Sequence, residues 1–321
     1  MDARARTYLV VALAAAGTAA LVVGLVAFTR TSPRAAAETS TTTPGRAPAL
    51  VLDLGLRTDP EAVALRRANR LYSAGQRRAA GRVFARYTSV EAQVGAAVSA
   101  WPNGTVARLD NLASAHPSSG VVLLHLGLAQ VASGKGSAAE AAWRKVLGRD
   151  PDSEAAVQAE SLLHPRFAPG RPPFVPSFAL PPSISRLSAP RQVSALARDA
   201  RQGGARQKLL YGSALQRLGR PVTAEREFAE AARLAPQDAE ARTAAAVGLF
   251  SKAEPALAFS RLGPLAARFP RAQSVRFHLG ELLLWIGQLD KSRSEFRLAY
   301  AGGAQTPLGR TAKEFLDRLK A

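Results

Sequence analysis

The strongest constraint on the fold is a repeat of 34 residues in the positions of the prolines. Pro117 and Pro151 lie 34 residues apart, and so do Pro236 and Pro270. Repeats of roughly 20–50 residues are typical of solenoids, in which each unit buries its apolar face by stacking on its neighbours. From about Asp59 onward, apolar residues recur at helical spacing. The sequence therefore predicts an all-α solenoid of antiparallel helix pairs.

Glycine, alanine and aromatic residues keep the same order inside each period. The repeated set is Gly127, Gly134, Ala139, Trp143 and Pro151; Gly212, Gly219, Ala224, Phe228, Ala231 and Pro236; Gly280, Gly287, Phe296 and Ala299; with Ala246, Ala253, Ala258 and Pro270 as a weaker copy. This order resembles the tetratricopeptide (TPR) repeat family. In that family a small residue lets two helices approach closely, a glycine turns the chain, and an aromatic residue fills the wedge between hairpins. The resemblance implies that these residues are structural.

The repeat pattern divides the chain downstream of residue 58 into three parts. Residues 59–164 form degenerate TPR-like units, and residues 191–321 form clearer repeats that end in an amphipathic capping helix over 307–321. Between them, residues 165–190 contain eight prolines, which favour polyproline II over helix. We interpret this insert as a spacer. The alternative is that it is itself a ligand for a groove, because pre-extended prolines bind at low entropic cost.

The N-terminal part has the composition of a membrane anchor followed by a tether. After a tail of residues 1–7, residues 8–28 are uncharged and long enough to cross a bilayer as one transmembrane helix. Residues 29–58 are rich in Ser, Thr, Pro and Ala, which predicts a flexible linker and places the C-terminal domain outside the cytoplasm of a single-pass cell-membrane protein. A signal peptide cleaved after Ala37 is the alternative.

The predicted transmembrane helix carries a stripe of small residues at every fourth position. The stripe consists of Ala12, Ala16, Ala20 and Gly24. Small residues at this spacing let two membrane helices approach closely. The sequence thus suggests a homodimer formed through the transmembrane helix, with the general abundance of alanine as the alternative explanation.

Residue types needed for catalysis and metal binding are sparse. The chain has no cysteine and four histidines, which do not lie at the spacing of a metal site on one helix. No nucleophile elbow, phosphate-binding loop or His-Glu-x-x-His motif is present. Asp110, Glu160 and Asp290 are interpreted as solvated. We expect no enzyme activity, no cofactor and no metal.

The TPR resemblance places candidate partner-binding residues along the first helix of each pair, which lines the concave groove in that family. They are Arg206, Gln216, Arg217, Phe250, Phe277, Glu281, Leu284 and Trp285. Apolar anchors beside arginines suit an acidic peptide or a C-terminal carboxylate. Packing between helices is the alternative for Phe277 and Leu284. His125 and His278 occupy the same repeat position, which we interpret as matched packing.

Two functions follow from these features. The first is a membrane-anchored TPR scaffold or assembly factor that binds a partner protein or peptide in its groove, similar in plan to anchored TPR subunits that assist secretion or cytochrome maturation. The second is a surface that binds anionic polymer or lipid, suggested by the net charge of +19. Nucleic acid is not favoured as a partner, because no recognition motif accompanies the scattered arginines.

Overall fold

The computed structural model describes residues 46–320, and within this range it contains 16 helices and no strand. These residues divide into two compact units, one ending at Arg149 and the other beginning at Asp150, which we call the N-terminal array and the C-terminal array. The predicted tail, the transmembrane helix with its small-residue stripe, and most of the linker lie outside the described residues. Within those residues, every helix is too short or too polar to cross a membrane.

The N-terminal array consists of three helix pairs. The helices are α1 (Pro60–Ser73), α2 (Arg77–Phe84), α3 (Val90–Ser99), α4 (Thr105–Ala115), α5 (Gly120–Ala132) and α6 (Gly136–Arg149). Asp59 and Ser89 cap α1 and α3 by accepting hydrogen bonds from free N–H groups of the first turn. Consecutive helices pack together, and α3 also packs on both α1 and α5. These three helices therefore form the inner row of the array.

The C-terminal array repeats this plan after an irregular beginning. Its helices are α7 (Glu154–Leu163), α8 (Pro182–Ser185), α9 (Ala189–Gln202), α10 (Ala205–Arg217), α11 (Pro221–Leu234), α12 (Ala239–Gly248), α13 (Ala256–Arg268), α14 (Gln273–Trp285), α15 (Leu289–Ala301) and α16 (Pro307–Lys320). The inner row consists of α10, α12, α14 and α16, each packed on the next. As predicted, α16 caps the array, with Leu308, Phe315 and Leu319 buried.

The repeated residues have the structural roles that the TPR resemblance implies. A Cβ atom added at Gly212 would lie 2.4 Å from the ring of Phe228, and one at Gly127 would lie 2.3 Å from the ring of Trp143. Only glycine therefore lets the paired helices approach this closely. Gly134 has a φ of +79°, which reverses the chain between α5 and α6. The fold is a TPR-like α-solenoid.

Residues 46–58 differ from the flexible linker that the sequence predicts. Leu50 and Leu54 are 8% and 6% exposed and belong to the core of the N-terminal array. The hydroxyl of Tyr72 donates a hydrogen bond to the carbonyl of Pro48 at 2.5 Å. The Ser/Thr/Pro-rich composition ends before Leu50, and the residues that follow are apolar enough to pack against the array. The folded unit thus begins about a dozen residues before its first helix.

The proline-rich insert also differs from our preferred interpretation as a spacer. Ala168 and Phe174 are 1% and 2% exposed and belong to the cores formed by the inner helices. Apart from the single turn of α8, the segment is not helical between residues 164 and 188, as its prolines require. The insert therefore packs along the array as an extended chain, which agrees with the alternative that it is a groove ligand.

Candidate functional site

Each array holds an extended segment of the same chain against its inner helices. We call residues 46–54 the first strap and residues 170–178 the second strap. The first strap lies on the N-terminal array and the second on the C-terminal array. The two arrays therefore each contain a groove whose contacts with an extended polypeptide can be read directly.

The second strap is bound mainly through its backbone. The N–H of Phe174 donates to Oε1 of Gln216 at 2.8 Å, and the N–H of Val175 donates to Nε2 of His278 at 2.9 Å. The N–H of Ser177 donates to Oε1 of Glu240 at 2.5 Å, while its hydroxyl donates to Oε2 of the same carboxylate at 2.6 Å. The acceptors come from three successive inner helices, α10, α14 and α12.

The prolines of the second strap stand where the groove offers no acceptor. Residues 172, 173 and 176 are prolines and have no N–H group, and the three remaining residues of the range 172–177 all donate to a groove side chain. Every backbone donor in this range is thus satisfied, which a buried polar backbone requires. Proline and acceptor positions are therefore complementary over residues 172–177.

Two phenylalanine side chains of the second strap occupy sites on the groove. The Phe174 ring is stacked on the His278 ring at 4.9 Å and meets the Phe228 ring edge to face at 5.3 Å. The guanidinium of Arg206 lies 4.1 Å from the centre of the Phe178 ring, within the range of a cation–π interaction. The side chains therefore add contacts of large apolar groups to the recognition of the backbone.

The first strap is bound by an equivalent histidine. The N–H of Val51 donates to Nε2 of His125 at 3.0 Å. Directly after the last residue of the strap, the guanidinium of Arg66 donates to the carbonyl of Gly55 at 2.9 Å. Together with the Tyr72 hydroxyl on Pro48, these side chains hold the segment at its start, its centre and its end. Both arrays therefore use a histidine on an inner helix to bind the N–H of a valine.

The tautomer of both histidines is fixed by a second hydrogen bond. Nδ1 of His125 lies 2.6 Å from the carbonyl of Val121, and Nδ1 of His278 lies 2.7 Å from the carbonyl of Ser274. A carbonyl only accepts, so Nδ1 carries the proton and Nε2 is left as the acceptor for the strap. Burial lowers the pKa of both imidazoles to about 4, against small increases from these carbonyls. Both rings are neutral at physiological pH.

The two straps share a residue pattern as well as a binding mode. Aligned on the valine, Pro48 matches Pro172, Leu50 matches Phe174, Val51 matches Val175, Asp53 matches Ser177 and Leu54 matches Phe178. The prolines and the residues directly before the valine are buried in both straps. The equivalent repeat positions of His125 and His278 were a sequence signal for this site, but they were interpreted as matched packing. The function of the two histidines could be interpreted only once the structure showed that each ring binds a strap.

The structure places two of the predicted groove residues, Arg206 and Gln216, on the second strap. Gln216 binds its backbone and Arg206 covers Phe178, while Arg217 is exposed at the end of α10. The rest are core residues, with 1% of Phe250, 0% of Phe277 and Leu284, and 2% of Glu281 and Trp285 exposed. The prediction that these five side chains contact a partner directly is therefore wrong. Inner helices pack on neighbours on both sides, which buries most of their surface.

The interpretation of Glu160 as a solvated side chain is also wrong, because Glu160 is buried. Its Oε2 lies 2.7 Å from Nε of Arg171, and its Oε1 accepts from the N–H of Lys252 at 2.8 Å. Nζ of Lys252 donates to the hydroxyl of Ser161 at 2.8 Å, and this hydroxyl also accepts from the N–H of Gly170. This cluster anchors the start of the second strap. Asp110 and Asp290 are exposed, as predicted.

The described residues contain no group of three or more His, Cys, Asp or Glu side chains that could hold a metal ion. The two grooves are the candidate ligand sites that the strap contacts define in this part of the chain. Their chemistry consists of imidazole, amide and carboxylate acceptors for backbone N–H groups, together with apolar sites for side chains, and it suits an extended polypeptide.

Comparison with known proteins gives similarity to helical repeat structures alone. No family model and no curated protein matches the chain. A tetratricopeptide repeat protein from Parabacteroides merdae is 12% identical, with 81% of this chain and 99% of that chain covered and a TM-score of 0.35. Yeast Tom70 is 13% identical over 81% of this chain and 54% of that chain, with a TM-score of 0.32.

The TPR2AB domain of yeast Sti1, solved with an HSP90 peptide, is 11% identical over 81% of this chain and 98% of that chain, with a TM-score of 0.28. These similarities are too low to carry an argument about function. The fold class rests instead on the helix pairs, the small-residue contacts and the turn glycines of this chain. They define a TPR-like helical repeat fold.

Proposed function

We propose that this chain is a scaffold that binds extended segments of a partner protein along the inner helices of its arrays. The observation that carries the proposal is the use of the same histidine arrangement in both grooves to bind the N–H of a valine in an extended segment. Main-chain hydrogen bonds of this kind supply affinity for extended peptides of different sequence, and the adjoining apolar sites supply selectivity.

The proposal includes anchoring of the scaffold in a cell membrane. Its support is the uncharged run of residues 8–28, followed by the Ser/Thr/Pro-rich segment that separates it from the first strap. In this arrangement the arrays lie outside the cytoplasm and hold partner proteins near the membrane surface. The scaffold would then act in assembly or export, without a catalytic step of its own.

A photo-crosslinking amino acid placed on the groove of the intact, membrane-bound chain tests the function. Arg206 is the groove position, because it is exposed and covers the second strap. Leu298 on α15 is the matched control, because it is 49% exposed and lies outside the inner row. We expect the Arg206 probe to capture a protein that the Leu298 probe does not, and a synthetic peptide of residues 169–180 to reduce its capture.

Identical products from both positions would contradict a role for the groove. Capture that disappears as salt is raised from 0.1 to 0.5 M, with no effect of the peptide, would instead favour binding of an anionic polymer to the basic surface. Counterion release makes polymer binding steeply dependent on salt. Groove binding uses the carboxylate of Glu240 together with uncharged imidazole and amide acceptors, so it depends on salt much less steeply.

A further inference from the structure

We propose that the groove of the C-terminal array is a receptor for a partner segment with the pattern proline, any residue, large apolar residue, valine, any residue, serine or aspartate, large apolar residue. Residues 172–178 are the internal occupant that such a segment replaces. This inference rests on the proposed function and specifies the ligand of that site. The groove of the described chain is thus an occupied receptor.

The contacts of the groove with the second strap have the form of ligand recognition. Gln216, His278 and Glu240 each accept one backbone N–H of the strap, and these bonds depend on an extended backbone and not on the identity of the side chains. Recognition of this kind applies equally to a segment of another protein. Proline at positions 172, 173 and 176 costs no hydrogen bond and restricts the free segment to extended conformations.

The pattern itself comes from two independent occupants. The first strap has leucine where the second has phenylalanine, and aspartate where the second has serine. Each strap nevertheless buries the first proline and the residue before the valine, and each binds the valine N–H to a histidine. A pattern that two grooves select in the same register describes what such a groove accepts.

The internal occupant sets how the receptor behaves toward a free peptide. The second strap is joined at both ends to helices of its own array, so its effective concentration at the groove is high, on the order of millimolar or more. A ligand sees only the fraction of grooves that the strap leaves open, and its apparent affinity falls by that fraction. The intact chain should therefore bind a free strap peptide weakly, and weakening the strap should strengthen that binding.

The test measures binding of a fluorescent peptide of residues 169–180 to the full chain by anisotropy. Val175→Pro in the chain removes the N–H that His278 accepts and keeps the segment extended. We expect this variant to bind the peptide about tenfold more tightly than the unmodified chain, the change that corresponds to loss of one hydrogen bond in the competing strap. The control variant is Ala179→Pro, because Ala179 is exposed and lies just beyond the bound residues. It should bind like the unmodified chain.

Two further changes test the same hydrogen bond, one in the free peptide and one in the groove. A peptide that itself carries Val175→Pro should bind the Val175→Pro chain about tenfold more weakly than the unmodified peptide. Adding His278→Leu to that chain should weaken binding of the unmodified peptide to a similar extent. The strap and the groove variants thus change binding in opposite directions, which loss of folding does not do.

Circular dichroism decides whether the variants are folded. If Val175→Pro unfolds the array, Ser177→Ala replaces it, with an expected gain of about threefold, because the hydroxyl of Ser177 binds Glu240. A folded strap variant with no gain in peptide binding overturns the inference, while the crosslinking experiment at Arg206 judges the proposed function separately. Dimers of the Val175→Pro chain that grow with concentration would also overturn it, because the occupant would then be a second copy.

Discussion

The imidazole of His278 accepts a hydrogen bond from the backbone N–H of Val175, 103 positions away in the chain, at 2.9 Å. This contact joins the proline-rich insert to the third inner helix of the C-terminal array. It depends on a neutral ring, because Nε2 accepts a hydrogen bond only while it carries no proton. Binding of each strap to its groove is therefore coupled to the protonation of one buried histidine.

Acid should destabilise the N-terminal array through His125. Burial lowers the pKa of His125 to about 4, from an ordinary value of 6.5. Between these values the unfolded chain binds more protons than the folded chain, so stability falls as the pH falls. From pH 7 to pH 5 the free energy of unfolding should decrease by about 2 kcal/mol on account of this group.

The measurement is urea unfolding of the chain and of His125→Gln at both pH values. Glutamine does not titrate in this range, so the pH dependence of the variant should be smaller by that amount. Subtraction of the two chains removes the contribution of other groups, including His278 and the buried Glu281, whose pKa is raised and whose effect has the opposite sign. Equal pH dependence of the two chains would contradict the assignment.

Trp285→Ala and Phe228→Ala should both destabilise the C-terminal array. The side chains are 2% and 0% exposed, so each truncation leaves a cavity and should cost about 3–5 kcal/mol. Leu298→Ala is the control, because this leucine is 49% exposed and should change stability by less than about 0.5 kcal/mol. Thermal unfolding followed by circular dichroism checks all three. Unchanged stability of Trp285→Ala would show that the ring is not part of the core.

Much of the fold could be predicted from the sequence, because the contacts that define it recur locally. Gly212 and Phe228 are 16 residues apart and pack together, and Gly280 and Phe296 repeat the same spacing and contact. A residue type that returns at a fixed interval indicates a fixed contact. The helix pairs, the turns and the capping helix follow from this kind of information.

The site was less predictable, because its contacts join segments that are far apart in sequence. The bond from Phe174 to Gln216 spans 42 positions, and the bond from Val51 to His125 spans 74. The interpretation of the insert as a spacer used composition alone. The prediction of groove residues was wrong for apolar residues such as Phe277, because their side chains fill the core between helices. Helical spacing shows which residues share a face, but not whether that face meets a partner or another helix.

Gly134→Ala and Gly148→Ala should change stability in opposite directions. Gly134 has a φ of +79°, a conformation that strains an alanine although no atom lies within 4 Å of the added Cβ. We expect a loss of about 1 kcal/mol. Gly148 lies within α6, and its added Cβ also meets open space, so alanine should stabilise the helix by about 0.5–1 kcal/mol. A comparison of urea midpoints tests the pair, and a stabilised Gly134→Ala would contradict the turn geometry.

The anchor is tested by comparing the intact chain with a chain that begins at Arg46. The uncharged run of residues 8–28 predicts that the intact chain stays in the membrane fraction after carbonate washing, whereas the shortened chain is released. A mature protein that is soluble and begins near residue 38 would instead establish cleavage of a signal peptide. If the small-residue stripe joins two helices, Ala20→Ile and Gly24→Ile should reduce the signal of a transmembrane association reporter.

Alkaline pH should stabilise the C-terminal array through Lys252. Its side chain is fully buried, and burial lowers its pKa from 10.5 to about 7, although the nearby carboxylate of Glu160 raises it. Between pH 7 and pH 10.5 the unfolded chain binds the additional proton, so the free energy of unfolding rises with pH. The gain between pH 7 and pH 9 should be about 2 kcal/mol.

Lys252→Met is the matched variant, because methionine has a similar length and no charge. At pH 7 it should be more stable than the unmodified chain, because a buried charge is removed and Arg171 remains to pair with Glu160. It should also lose the gain in stability between pH 7 and pH 9. Hydrogen exchange at Phe174, Val175 and Ser177 reports the second strap directly. If Lys252 acts only on the anchor cluster, these amides should stay protected in the variant, and faster exchange would show that the lysine also holds the strap in its groove.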